Sequence, residues 1–380
     1  MRLEKLDHLG KPYHIYAESL DEGALQQFTD AMALDCVVRG ALMPDAHSGY
    51  TLPIGAVLAV EGVIFPSFVG YDIGCGMCAL PMSCDADLIR SPWTSKAIFE
   101  GVYKAVPVGF AHNQHETPWS EGTFLPKTDA MQEIFTRDDK NHGLRQLGSL
   151  GGGNHFIEIG VDETRQVWIV VHSGSRGVGH ATATRYMRLA SGDGRAREGH
   201  FGFSVNSQEG KDYITDLAFC LAFALENRRE IIRRVEQVVQ DYCGGEGDWN
   251  RLINRNHNHA ELKDGLWIHR KGATHAEAGM LGVIPGNMRD GSFIVRGKGH
   301  PEALWSSSHG AGRALGRKQA QRVLTLESFK ESMAGITALV SKDTLDEAPA
   351  AYKDIYSVMA QQQEMVEILA HEVPILNIKG

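Results

Sequence analysis

The chain has 380 residues, a mass of 41.7 kDa, a formal charge of −9 and a pI near 6.0. That balance argues against a protein that coats nucleic acid through its overall charge, while leaving room for a local basic cleft. Apolar residues at 43% and charged residues at 22% are the proportions of a globular domain, and no segment reaches the roughly 18 consecutive apolar residues of a membrane span.

At the amino terminus, "MRLEKLDHLG" lacks the apolar run of a signal peptide, and Cys36, Cys75, Cys78, Cys84, Cys220 and Cys243 show no dense framework spacing. A cytoplasmic protein with reduced thiols and no membrane partner is expected. "PDAHSG", Pro44 to Gly49, offers Asp and His candidates ahead of the β-rich run "IGAVLAVEGVIF". After that run, "GYDIGCGMC" places Asp72 and Cys75 on glycine-permitted turns. A thiolate there can bridge two divalent ions beside a carboxylate. Alternatively, Cys75 and Cys78 form a CxxC redox or zinc half-site, and the lack of a second CxxC rules out a four-cysteine zinc site.

The stretch "NHFIEIGVDETRQVWIVVHSGSRG", Asn154 to Gly177, reads as a β-hairpin turning at Glu163-Thr164. Paired positions then sum to 327, so His155 and His172 face each other, with Cβ atoms about 4.5–5.5 Å apart and suited to one metal or two adjacent ones. Two ordinary histidines at strand ends is the bland alternative. Helical periodicity runs from Asp212 to Gln240, and the cluster "NRREIIRR" on it reads as a solvated face. "NRNHNHAE", Asn254 to Glu261, adds further His candidates, followed by the basic "IHRKGA".

"SSSHGAGR", residues 306–313, combines hydroxyls, a glycine-rich turn and an arginine, which together predict a phosphate pocket. His309 adds either a nucleophile or a metal ligand. Helices are expected over Gly312 to Leu324 and Tyr352 to His371. The 42 glycines gather in short loops beside β-rich runs, with strands in the middle and helices at the flanks. No linker or repeat interrupts the chain. The expectation is one compact α+β domain, residues 1–380, whose distant segments share one cleft.

Taken together, "MPDAHSGY", "YDIGCGM", "GGGNHFIEI", "VHSGSRGVGH", "HNHAE" with "HRKGAT", "IPGNM", "SSSHGAGR", "DEAPAAYKDI" and "IKG" resemble the RtcB-type RNA ligases, in the family's order from Met43 to Gly380. The resemblance implies β-sheets with flanking helices around a central metal and nucleotide cleft. It implies a dinuclear Mn²⁺ site made by Asp72, Cys75, His155, His172 and His257, with Cys75 bridging. It makes His309 the nucleophile that takes GMP from GTP, with Asp45 as an auxiliary catalytic residue. GMP then passes to an RNA 3′-phosphate, formed from a 2′,3′-cyclic phosphate by hydrolysis, and a 5′-hydroxyl displaces it to seal the strands.

By the same resemblance Asn154 and Glu158 contact the nucleotide, Ser292 and Lys379 help select guanine, and Tyr352 stacks on it. Gly310, Ala311 and Gly312 admit the phosphate, with Arg313 and Arg176 as phosphate contacts. The implied partners are RNA with broken ends, GTP and an archease-like activator or a release-factor homologue; the implied setting is RNA repair or splicing. The chain departs from the family at Asn287, where serine is usual, so the guanine pocket is expected to be altered. It departs again at Tyr71, where valine is common. Two other readings remain: a dinuclear metallophosphoesterase, which needs the metal loops but no special histidine in "HGAGR", and a non-catalytic RNA-binding paralogue.

Overall fold

Two sheets organise the residues described by the computed structural model, which are 6, 9–119, 125–138 and 142–380. The amino-terminal stretch read for a signal lies largely outside them. One sheet has five strands in the order Tyr13–Ile15, Val37–His47, Ile54–Val60, Leu266–Lys271 and Asn258–Lys263. The larger sheet runs Leu281–Pro285, Ser292–Gly297, Val366–Lys379, Phe156–Val161, Val167–Ser173, Gly76–Met82 and Ile253–Asn256, with Thr337–Ala338 also paired to Val366–Lys379. Between Ile253–Asn256 and Asn258–Lys263 stands a single residue, His257, so the chain crosses from one sheet to the other at that imidazole. A two-stranded ribbon, Ala273–His275 with Ser306–Ser308, delivers the chain to His309.

Helices Pro92–Ala105 and Gln208–Cys243 cover one face of the larger sheet. Ile98, Val102, Ile231, Ile232, Val235 and Val239 meet Leu80, Ile157, Ile169 and Val171 in a single core. Burying each such side chain is worth about 1.5–3 kcal/mol, enough to hold the sheet flat against the helices. The longer helix starts where Ser207 accepts a hydrogen bond from the Gly210 amide, and it contains the whole span predicted from Asp212 to Gln240. The elements belong to the expected α+β class.

Three expectations need correction. Helix 312–324 shrinks to Arg317–Val323, because residues 313–315 pair with Ala351 and Tyr352 instead of coiling. The helix expected from Tyr352 to His371 survives only as Ile355–Ala360; Val366–Lys379 is a strand between Ser292–Gly297 and Phe156–Val161. Pairing on both edges overrides the helix propensity of Glu367, Leu369 and Ala370 there. The hairpin register is Phe156↔His172, a sum of 328 and not 327. Its turn has three residues, 163–165, closed by Asp162 N–H to Gln166 O (3.0 Å), with Arg165 at φ 67 in the left-handed region.

Candidate metal and nucleotide site

Despite the shifted register, His155, the residue just before its strand, comes together with His172. Their ring centroids are 5.2 Å apart. Cys75 Sγ lies 3.4 Å from His155 Nε2 and 3.1 Å from His172 Nε2. Asp72 Oδ2 is 3.0 Å from His155 Nε2, and His172 Nε2 is 3.3 Å from His257 Nε2. Cys75, His155 and His172 thus converge on one spot, with Asp72 beside His155 and His257 beside His172. His172 Nδ1–H donates to the Asn154 carbonyl (3.1 Å), which leaves Nε2 as a lone-pair donor toward the cluster.

The electrostatics ready the imidazoles for ligation, whereas the thiol must give up its proton to a cation. Burial pushes His172 and His257 well below the ordinary histidine value, so both are neutral near pH 7. Burial, with Asp72 beside it, holds the Cys75 thiol well above its usual range. Burial would raise Asp72 too, but the charge and hydrogen bond of His155 bring it down to about 2. Lone pairs of a sulfur and three imidazoles crowded together call for a cation. This set fits first-row divalent ions better than Ca²⁺ or Mg²⁺, which prefer all-oxygen sites.

The loops carrying these donors are tied together by two residues of the long helix. Arg228, fully buried, donates to the Gly74 and Ser173 carbonyls (2.7 and 2.9 Å) and to the side chains of Asn254 and Asn256 (2.7 and 2.6 Å). Burial lowers its pKa to about 10. Asn227 donates to Ser149 O, Ser173 Oγ and Gly174 O while accepting from the Gly148 and Ser149 amides. The solvated face expected for "NRREIIRR" is therefore wrong for its first two members.

His309 closes the row of imidazoles, its ring 4.9 Å from that of His257. Its Nδ1–H donates to Asp45 Oδ2 (2.6 Å) and its backbone N–H to the same oxygen (3.1 Å), so Nε2 is the free nitrogen. Asp45 is fully buried on a bulge: between the pairs Leu42↔Ala56 and His47↔Ile54, residues 43–46 face the single Gly55. Gly312, at φ +73, lies so close to the Asp45 carbonyl that a Cβ there would stand 2.2 Å from the oxygen. Only glycine lets the "HGAGR" turn seat on Asp45.

A cavity of about 230 Å³ joins this histidine to the metal donors and is lined by Asn154, Ser292, Gly310, Ala311, Gly312, Arg313, Tyr352, Lys379 and Asn287. Glu158 does not line it. Its carboxylate sits one layer behind, accepting from Ser292 Oγ (3.0 Å) and Asn377 Nδ2 (2.8 Å), both of which do face the cavity's interior. The Asn287 side chain is occupied by its own turn: Oδ1 accepts from the Arg289 and Asp290 amides and Nδ2 donates to Asp290. Glu347, unremarked within "DEAP", is the hub of the cavity wall. It takes bonds from Lys379 Nζ (2.9 Å), Tyr352 OH (2.6 Å) and Arg313 (3.1 Å), and pairs with Arg317 (3.2 Å).

A second donor group, His259, Glu261 and His275, also lies within 4.8 Å. The Arg270 guanidinium already occupies it, 3.0 Å from His259 Nε2 and 2.5 Å from Glu261. No helix among the described residues is long and apolar enough to cross a membrane.

Residues 27–380 match the family described as tRNA-splicing ligase RtcB. The RNA-splicing ligase RtcB of Escherichia coli (strain K12) is 33% identical over 411 residues, covering 100% of both chains. The tRNA-splicing ligase RtcB of Pyrobaculum aerophilum is 28% identical, covering 97% of this chain and 95% of the relative. The RNA-splicing ligase RtcB of Mycobacterium tuberculosis is 28% identical, covering 93% of this chain and 100% of its own.

Proposed function

The chain belongs to the RtcB family and is an RNA ligase, and we propose that it joins an RNA 3′-phosphate or 2′,3′-cyclic phosphate end to a 5′-hydroxyl end through GMP carried on His309. The observation that carries this reading is the pairing of His309 Nδ1 with buried Asp45, 2.6 Å away, beside the metal donors. A phosphoesterase using the same donors needs no such oriented imidazole.

Asp72, Cys75, His155, His172 and His257 would hold two Mn²⁺ ions. When bound, these ions neutralise phosphate charge and favour in-line attack. Asp45 fixes the tautomer that exposes Nε2 of His309. Nε2 attacks the α-phosphorus of GTP; the N–P bond forms as the α–β phosphoanhydride breaks and pyrophosphate leaves with the bonding pair. The RNA 3′-phosphate oxygen then takes the GMP from His309, and the 5′-hydroxyl oxygen attacks the RNA phosphorus and releases GMP. The Ala311 amide anchors the turn on the Pro285 carbonyl (2.9 Å), Gly310 and Gly312 let the phosphates approach, and Arg313 and Lys379, braced by Glu347, supply positive charge.

Tyr352 stacks on the base, with its opposite face under Arg313, 5.1 Å from the ring centroid. Ser292 and Asn154 reach the base directly, and Glu158 acts on it through the oriented Ser292 and Asn377. The test is to incubate the protein with α-labelled GTP and Mn²⁺, denature it and measure acid-labile, protein-bound GMP. Labelled wild type and unlabelled His309→Ala support the reading; label retained by His309→Ala removes it.

A further inference from the structure

His47 ends the strand Val37–His47 and lines the nucleotide cavity, outside both the metal donors and the Asp45–His309 pair. Its Nδ1–H donates to the Asp45 carbonyl (3.0 Å), which fixes the tautomer and leaves Nε2 with a lone pair. Among the described residues that nitrogen has no hydrogen-bond partner. Burial, with His309 and Lys353 nearby, brings the pKa of His47 down to about 4, so the ring is neutral near pH 7. Its Nε2 can then only accept.

Three segments meet around this ring. The Gly312 turn seats on the same Asp45 carbonyl that His47 holds. The Gly312 carbonyl in turn accepts from the Lys353 amide (3.0 Å), and Lys353 Nζ donates to the Ala46 carbonyl (2.7 Å). His47 therefore stands where the loop of His309 meets the segment that carries Tyr352. His309 marks the phosphate end of the cavity and Tyr352 its base end. In a nucleotide, the sugar spans that interval.

Arg313, Arg317 and Lys379 bring positive charge to the cavity, whereas a neutral acceptor has nothing to offer a phosphate oxygen, which is itself an acceptor. A sugar hydroxyl is the donor that fits. We propose that His47 Nε2 accepts a hydrogen bond from a ribose hydroxyl of the guanine nucleotide and so makes the site favour a ribonucleotide over its deoxy analogues. The proposal deepens the ligase reading above, on which the presence of GTP in this cavity rests. An analogue without the hydroxyl leaves the imidazole lone pair unpaired, and the loss of that bond sets the discrimination.

The test uses the full chain with Mn²⁺ and compares GTP, 2′-deoxyGTP and 3′-deoxyGTP, by calorimetric binding and by the concentration for half-maximal labelling of the protein. Wild type is expected to favour GTP about fivefold over the analogue that lacks the bonded hydroxyl. His47→Asn keeps a donor for the Asp45 carbonyl but has no atom at the Nε2 position. It is expected to lose the preference because only its affinity for GTP falls. His47→Gln, whose side-chain oxygen reaches the Nε2 position, restores it. A wild type indifferent to both hydroxyls, or a His47→Asn chain that still favours GTP, overturns the proposal. So does a defect equal for all three nucleotides, which would give His47 only the packing of the Asp45 loop. If His47→Asn keeps its GTP preference but no longer prefers an RNA over a DNA 3′-phosphate end in joining, the acceptor serves the RNA 2′-hydroxyl and the proposal fails. A preference for GTP in binding that depends on His47, in a protein that forms no protein-bound GMP, supports the acceptor and removes the guanylylation instead. A chain that binds none of the three nucleotides removes both.

Discussion

On the proposed assignment His309 is the nucleophile and not a ligand, although its ring lies 4.9 Å from that of His257 and its Nε2 is free. His309→Ala is therefore expected to keep Mn²⁺ binding by calorimetry and lose all protein-bound GMP, whereas Cys75→Ala loses both; a His309→Ala chain unable to bind Mn²⁺ would make His309 a ligand. Asn287 was legible as a departure from the family, but its consequence was not, because only coordinates show its amide turned into its own loop. Asn287→Ser is accordingly expected to shift the GTP concentration for half-maximal labelling by about threefold or less, a change under roughly 1 kcal/mol; a shift of tenfold or more would put the amide on the base. Glu158 and Glu372 are buried side by side, and burial raises both, with the Glu158 charge raising Glu372 further. The folded chain then keeps a proton that the unfolded chain sheds in the ordinary carboxylate range, so this contribution to stability is full at low pH and is lost as pH rises through the raised folded value. Glu372→Gln stays neutral throughout. Its melting temperature is expected to exceed that of wild type by about 2 °C at pH 8, with the gap closing by pH 4; a gap independent of pH counts against the buried pair.

At the scale of elements, the long helix shows why some of the site was readable and some was not. Its apolar stripe, with Cys220, Phe223, Ala224, Ile231 and Ile232 buried, passes through Asn227 and Arg228. Two polar residues inside such a stripe were the available sign that they face inward, but the arginines around them gave the look of a wet surface. The donor loops were legible because Cys, His and glycine turns carry chemistry in their residue types. The residues holding those loops carry theirs only through contacts made by distant segments. The same difference explains the C-terminal strand: Val366–Lys379 is set by its two neighbours, Ser292–Gly297 and Phe156–Val161, which local periodicity does not reveal. Arg228→Met keeps the volume but strands the Gly74 and Ser173 carbonyls and both asparagines. It is expected to cost about 3–5 kcal/mol in denaturant unfolding and to weaken metal binding. A variant as stable as wild type would show that the helix does not brace the metal loops.

Across the whole molecule, the site sits where the two sheets meet. Asp45 belongs to the five-stranded sheet, His172 to the larger one, Cys75 and His155 immediately precede strands of the larger one, and His257 is the residue by which the chain passes between them. A cation held by His257 and by the donors of the larger sheet thus joins both layers, and its binding free energy becomes stability of the whole fold. One ion at a hundred times its Kd adds about 2.7 kcal/mol, which for a chain of this length moves the melting temperature by about 3 °C. Chelation is therefore expected to lower the transition of wild type and of His309→Ala alike by about that amount, with recovery on restoring Mn²⁺, while Cys75→Ala shows no such shift. Because the crossing at His257 couples the sheets, the metal-free protein should still unfold in a single calorimetric transition. Separate transitions after chelation would mean that the metal, and not the chain, makes the two sheets one cooperative unit; a wild-type transition indifferent to Mn²⁺ would mean that the five donors do not share an ion at all.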